Sequence, residues 1–231
     1  MTIITEESIF QAININDIDF IESNKDVIKN MKAPLVFLSV SLGYYSMTEK
    51  LLSIGVDPNI PFEKTLRTAA HNAVYQNNEP IVDLLLKYNA DFNAIDLNGR
   101  TPFLDCFDCP EKNILKKIIN KNTDFHASDK NNNNAYHILT DFLNSVSKDL
   151  IKNNDIEIFT NLLYRHKVNI EQKNLSGNTP LEMVKKGTFL YRCLEEIRNS
   201  YHKDIKEEKK QIYEHTKGIT KTEVQNTPIY K

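Results

Sequence analysis

The chain has 231 residues, 40% of them hydrophobic and 26% charged, with only six Gly and eight Pro, a balance that excludes a disordered or turn-rich all-β chain and favours helices. A formal net charge of −2 removes the electrostatic basis for nucleic-acid binding. Three cysteines, an odd number, exclude a closed disulfide framework and point to a reducing, cytoplasmic setting.

The opening decapeptide MTIITEESIF is acidic and lacks the basic flank of a secretory signal, so none is expected. Residues 1–32 read as an N-terminal helical cap, with Ile9, Phe10, Ala12, Ile13, Ile18, Phe20 and Ile21 as its apolar face. The most apolar run, Leu35 to Leu42, covers eight residues where a membrane-spanning helix needs about twenty. No membrane association is expected.

From residue 33 the chain repeats itself. Leu51-Leu52 precede Gly55-Val56-Asp57-Pro58-Asn59, Leu85-Leu86 precede Asn89-Ala90-Asp91-Phe92-Asn93, and Ile118-Ile119 precede Asn122-Thr123-Asp124-Phe125-His126. The steps from Asp57 to Asp91 and on to Asp124 are 34 and 33 residues. A second motif keeps the beat, beginning at Thr68, Thr101, Asn134 and Thr179 with steps of 33, 33 and 45. The long last step predicts an insertion near 141–155 that lengthens the helices or their loop. Pro80 and Pro110 suit first helical turns, where the missing amide has no partner to lose. Gly99 and Gly177 sit where a tight turn needs positive φ, just ahead of Thr101-Pro102 and Thr179-Pro180.

Thr101-Pro102, Thr179-Pro180-Leu181, His71 and His137, held at this spacing, resemble the T-P-L-H-x-A motif of the ankyrin-repeat family. The resemblance covers most of residues 33–187 and implies an all-α solenoid of helix-turn-helix units with β-turn tips. The units are expected at about 33–59, 68–93, 101–126, 134–171 with the insertion, and 179–187 onward. Beyond them Leu190, Leu194, Ile197, Tyr201, Ile205 and Ile212 recur mostly at three and four residues, which predicts a long capping helix over 188–215. The tail 216–231 lacks this periodicity and is expected to be disordered.

Few residues look chemical. Cys106 and Cys109 form a C-x-x-C, but a structural zinc site needs four ligands and no second pair follows. Cys106 falls at the small core position held by Ala73 one unit earlier. At the family's histidine position, His71 and His137 are implied to hydrogen-bond neighbouring turns. There is no phosphate-binding loop, dinucleotide fingerprint or zinc-protease motif. No catalytic residue, metal or cofactor is expected.

The function so implied is protein binding by a chain that is monomeric on its own, through a partner of mixed charge. The family's usual contact positions map onto the tips as Lys64, Arg67, Leu97, Asn98, Arg100, Lys130, Asn131 and Asn133. They map onto the ends of the first helices as Tyr75, Gln76, Asp108, Asp141 and Phe142. The Asn-, Ile- and Lys-rich composition suggests AT-rich coding DNA and a bacterial source. Two roles follow: an effector acting on a host protein, or an immunity protein that blocks a toxin or enzyme. An enzyme with an unrecognised thiol site is the remaining alternative.

Overall fold

A computed structural model describes residues 4–108, 112–119, 122–146 and 152–225, with side chains, that of Lys112 apart, as far as Glu214. Within these segments helices come in successive pairs: α1 (Glu6–Asn14) with α2 (Ile18–Ser23) and the short α3 (Lys25–Ile28), then α4 (Leu35–Ser41) with α5 (Tyr45–Ser53). There follow α6 (Ala69–Tyr75) with α7 (Glu79–Lys87), α8 (Pro102–Asp105) with α9 (Lys112–Ile118), α10 (Ala135–Ser145) with α11 (Asn153–Arg165), and finally α12 (Phe189–Gln225). First helices pack on first helices, α1 on α4, α4 on α6 and α6 on α8. Second helices do the same, α2 on α5, α5 on α7 and α7 on α9. The result is a two-layered all-α stack, in which each pair buries its apolar face against the next.

The reversal inside each unit is one recurring device. Asn77 takes φ 54°, its N–H donates to the Val74 carbonyl at 2.9 Å, and the N–H of Asn78 donates to Ala73 at 3.0 Å. This left-handed helix stop satisfies two carbonyls that the ending helix would otherwise orphan. Gly43 and Tyr44 repeat it, and so do Asn16 and Asp17. The N-terminal segment read as a helical cap therefore turns as a repeat does. The second helices stop in the same way at Gly55, Asn89 and Lys167.

The Asp-x-Asn beat has a physical cause. The Asp57 carboxylate accepts from the Asn59 N–H at 2.9 Å, and Asn59 Oδ1 accepts from the Asp91 N–H at 2.7 Å. Asp91 then takes Asn93 at 2.8 Å, Asn93 takes Asp124 at 3.0 Å, and Asp124 takes His126 at 2.9 Å. These short side chains accept from backbone two residues on and hand the chain to the next unit.

One core runs through the stack, from Ile9 and Ile13 through Leu35, Met47, Leu51, Ile81 and Leu85 to Phe103, Phe107, Tyr136 and Phe159. Phe103 meets Phe107 and Phe125 edge-on at centroid distances of 5.2 Å, and Phe107 meets Phe159 at 6.2 Å. The Tyr136 hydroxyl donates to the Thr160 carbonyl at 3.2 Å, and burial pushes this phenol well above its ordinary range. Cys106 is buried in this core, and Cys109 lies outside the described residues.

Five segments differ from simple repeats. Helices α10 and α11 have 11 and 13 residues where α6 and α7 have 7 and 9, around the place read as an insertion. Helix α8 is a single turn, and Thr179-Pro180-Leu181-Glu182 opens only a run of short i→i+3 bonds before Gly187 ends it. Helix α12 then starts at Phe189 and continues to Gln225, ten residues past the expected end of 215, so helix occupies part of the segment read as a disordered tail. Apolar periodicity governs what a helix buries, whereas Lys, Glu and Gln sustain helical backbone without burial. Residues 226–231 lie outside the described residues.

Candidate functional site

The tips form one continuous edge. The N–H of Leu97 donates to the Thr65 carbonyl at 2.7 Å, Lys130 to Asn98 at 2.8 Å, and Leu175 to Asn131 at 2.8 Å. Each tip is thus pinned to the one before it. Three of the tips share a side-chain cradle. Asp96 Oδ1 accepts the N–H groups of Asn98 and Arg100, Asp129 Oδ1 those of Asn131 and Asn133, and Asn174 Oδ1 those of Ser176 and Asn178. The residue at the bend has positive φ in every case: Gly99 at 78°, Asn132 at 62° and Gly177 at 81°. The run Asn131 to Asn134 is accordingly a structured turn, with Asn132 in the left-handed region that Asn tolerates best after Gly.

The first tip lacks the cradle. Its closing bond runs from the Phe62 N–H to the Arg67 carbonyl at 2.9 Å, and Leu66 carries the left-handed bend at φ 57°. Phe62 stacks flat on Phe37, with centroids 5.1 Å apart, which holds the tip against α4.

Behind the tips lies a network that sequence reading did not find. Asp105, with a side chain 1% exposed, accepts from Arg67 Nη2 at 2.6 Å and from Arg100 Nε at 2.9 Å. Arg67 also donates to the buried Asp96 at 3.2 Å, and Arg100 reaches Asp108 at 2.6 Å. Two guanidinium charges and three carboxylates thus meet across the first two tips. Asp108 is partly desolvated, which pushes its carboxyl up; Arg100 opposes that shift and the neighbouring Asp105 and Asp141 reinforce it. The signal for this network was Asp105 inside an apolar first helix, a charge that needs a buried partner.

The thirteen expected contact residues therefore divide. Lys64, Leu97, Asn98, Lys130, Asn131, Asp141, Tyr75 and Gln76 are exposed, while Arg67, Arg100, Asn133, Asp108 and Phe142 are half-buried. Arg67 and Arg100 turn inward, so Lys64 and Lys130 carry the outward positive charge of the tips. Arg67 also lies over the Tyr75 ring at 5.7 Å, and the Gln76 side chain donates to the Ser41 carbonyl at 3.1 Å. Apolar side chains stand out along the same edge: Leu66, Ile95, Leu97 and Leu175, the last of them 75% exposed. Leu66, Ile95 and Leu175 were not among the expected contacts. Asn131, Asn133 and Asp141 come together with Asn174, Asn178 and Met183 around an open polar cleft between the last two tips.

The histidines face the stack. His71 Nε2 donates to the Arg100 carbonyl at 3.0 Å, and Nδ1 accepts from the Thr68 N–H at 3.1 Å. His137 repeats this toward Asn178 at 3.1 Å and Asn134 at 3.3 Å. Burial is the largest influence on both and holds them below the ordinary histidine pKa, hence neutral. Among the described residues no group of three His, Cys, Asp or Glu side chains is arranged to hold a metal ion, and no helix is long and apolar enough to cross a membrane.

Residues 36–134 match the family model described as ankyrin repeats (3 copies). The chain is similar to the fowlpox virus (strain NVSL) ankyrin repeat protein FPV024, 32% identical over 38% of this chain and 15% of the relative. It is also similar to the ankyrin repeat protein FPV244 of the same virus, 26% identical over 81% of this chain and 25% of the relative. The chain thus spans a quarter or less of the length of these relatives.

Proposed function

We propose that this chain, whose residues 36–134 are ankyrin repeats, acts by binding another protein along the line of its tips and the adjoining ends of its first helices. The observation that carries this reading is the backbone ladder joining Thr65, Leu97, Asn98, Lys130, Asn131 and Leu175. It holds exposed Leu66, Leu97 and Leu175 in a fixed row beside Tyr75, in a fold that needs none of them for its core. A preordered row of leucines with a nearby Tyr offers anchors without an ordering cost. Lys64, Lys130 and Asp141 supply both signs of charge, which suits a partner of mixed charge and no polyanion.

Within this reading the chain serves by occupying its partner, as an effector on a host protein or as an inhibitor of a toxin or enzyme. The matched relatives are viral and lend no support to a bacterial source. Affinity capture with wild-type protein and with a Tyr75→Ala, Leu97→Ser double variant tests the surface. Proteins retained by the first and lost by the second, at equal thermal stability, are the expected partners. Identical captured sets would move the interface off the tips.

A further inference from the structure

The first-helix ends at Tyr75, Asp108 and Asp141 occupy equivalent places in three successive repeats, as do Arg67, Arg100 and Asn133 at the tips. In the first of these units the Arg67 guanidinium lies over the Tyr75 ring, 5.7 Å from its centre. In the second, Arg100 Nη2 lies 2.6 Å from Asp108 Oδ2. In the third the arginine is missing. Asn133 is too short to replace it and turns toward the tip, its Nδ2 donating to Asp129 at 3.1 Å and its Oδ1 accepting from Asn174 at 3.0 Å. Asp141 is exposed, and among the described residues it has no ion pair.

At the equivalent positions of the third unit, Asn133 and Asp141, there is instead an open cleft, which Asn131, Asn174 and Asn178 also line. Deepening the protein-binding reading and resting on it, we infer that this cleft receives the side chain of an arginine from the protein partner. Asp141 offers two carboxylate oxygens to the planar fork. The carboxamides of Asn131 and Asn178 make no side-chain hydrogen bond among the described residues and offer further acceptors for a group with five donors. Leu175, 75% exposed on the rim, offers apolar surface to the aliphatic stem. An ammonium matches this arrangement less well, because it is a point donor without the fork. The third unit also carries Ile138 where the second carries Asp105, so the cleft presents one carboxylate and leaves it for a cation from outside.

The test is a chemical-shift titration of the full chain with N-acetyl-arginine amide, with the lysine and norleucine amides as comparisons. Shifts confined to the amides of residues 131–142 and 174–178, several-fold weaker for lysine and absent for norleucine, are expected. Asp141→Asn should weaken the response at least tenfold. Asn133→Arg, which supplies the guanidinium from the chain itself, should abolish it while the melting temperature holds or rises. No localised shift in the wild type, or the same shift in Asp141→Asn, overturns the inference. The Tyr75 and Leu97 capture experiment is independent of this cleft, so failure here leaves the wider binding reading standing and failure there does not produce a false result here.

Discussion

His71 Nε2 reaches 3.0 Å across a repeat boundary to the carbonyl oxygen of Arg100, so one neutral imidazole ties a first helix to the following tip. Replacing His71 by Ala removes this bond and the one at Nδ1, and should destabilise the fold by about 1–2 kcal/mol. Partner affinity per folded molecule should not change. Normal stability with lost binding would contradict the structural role. The pH dependence follows from the lowered pKa of His71 and His137, which are neutral when folded and ordinary when unfolded. Below about pH 6.5 the unfolded chain takes up their protons first, so their contribution is complete above that pH and declines as pH falls through it. Melting temperatures of wild type and His71→Ala, taken from pH 8 down to 5, should therefore converge toward the acid end.

Asp105 is held by Arg67 and Arg100 with its own side chain 1% exposed. Asp105→Ala leaves two partly buried cations short of a partner and should cost about 2–4 kcal/mol, below the full buried-pair penalty because both arginines retain some solvent contact. Asp108→Asn, at a carboxylate 39% exposed, should cost much less. Urea midpoints of the two variants check the ranking, and equal losses would mean that burial does not set the scale of this network.

Gly99 and Leu66 hold the same bend position in successive tips and should respond oppositely. A Cβ on Gly99 would stand 3.0 Å from the Lys130 amide nitrogen, at φ +78°, and would press on a donor that pins the next tip. Gly99→Ala should destabilise. Leu66 is held at φ 57° with its side chain largely in solvent, so Leu66→Gly relieves left-handed strain of about 1 kcal/mol. For a chain of this size that is a rise of roughly 2–4 °C in melting temperature, read by calorimetry.

Helix α12 contacts the stack through Leu190, Leu194 and Ile197, all buried, while its later ties are exposed pairs such as Lys167 with Glu208 and Tyr164 with Asp204. Removing residues 188–231 uncovers Leu181 and Val184 and should lower the melting temperature or cause aggregation. Cutting after His202 should leave the melt nearly unchanged. An unaltered melt for the longer deletion would show that α12 does not cap the stack.

The repeat period, the helix pairs and the core place of Cys106 were legible because each is a local rule restated at a fixed spacing, while the role of His71 came from the family resemblance. The N-terminal turn at Asn16 escaped reading because it keeps the backbone device without the family's letters. The Arg67–Asp105–Arg100 network escaped for a different reason: Arg100 is five residues from Asp105 but Arg67 is 38 away, and only stacking brings Arg67 to the carboxylate that Arg100 holds. Of the surface, Leu97 was legible as a tip residue. Leu66 was not, because its tip closes one residue wider than the others and carries no Gly to mark the bend.

The ladder of tips also has mechanical meaning. Each of its three boundaries is joined at the tip by a backbone bond of 2.7 or 2.8 Å, so the spacing of successive tips is set by peptide geometry and not by the choice of side chains. The same boundaries are tied again behind the tips, Asn59 to Asp91, Asn93 to Asp124, His71 to Arg100 and His137 to Asn178, so the edge is a ruler with its graduations fixed from both sides. A partner lying along the tips meets a spacing that is set before it arrives.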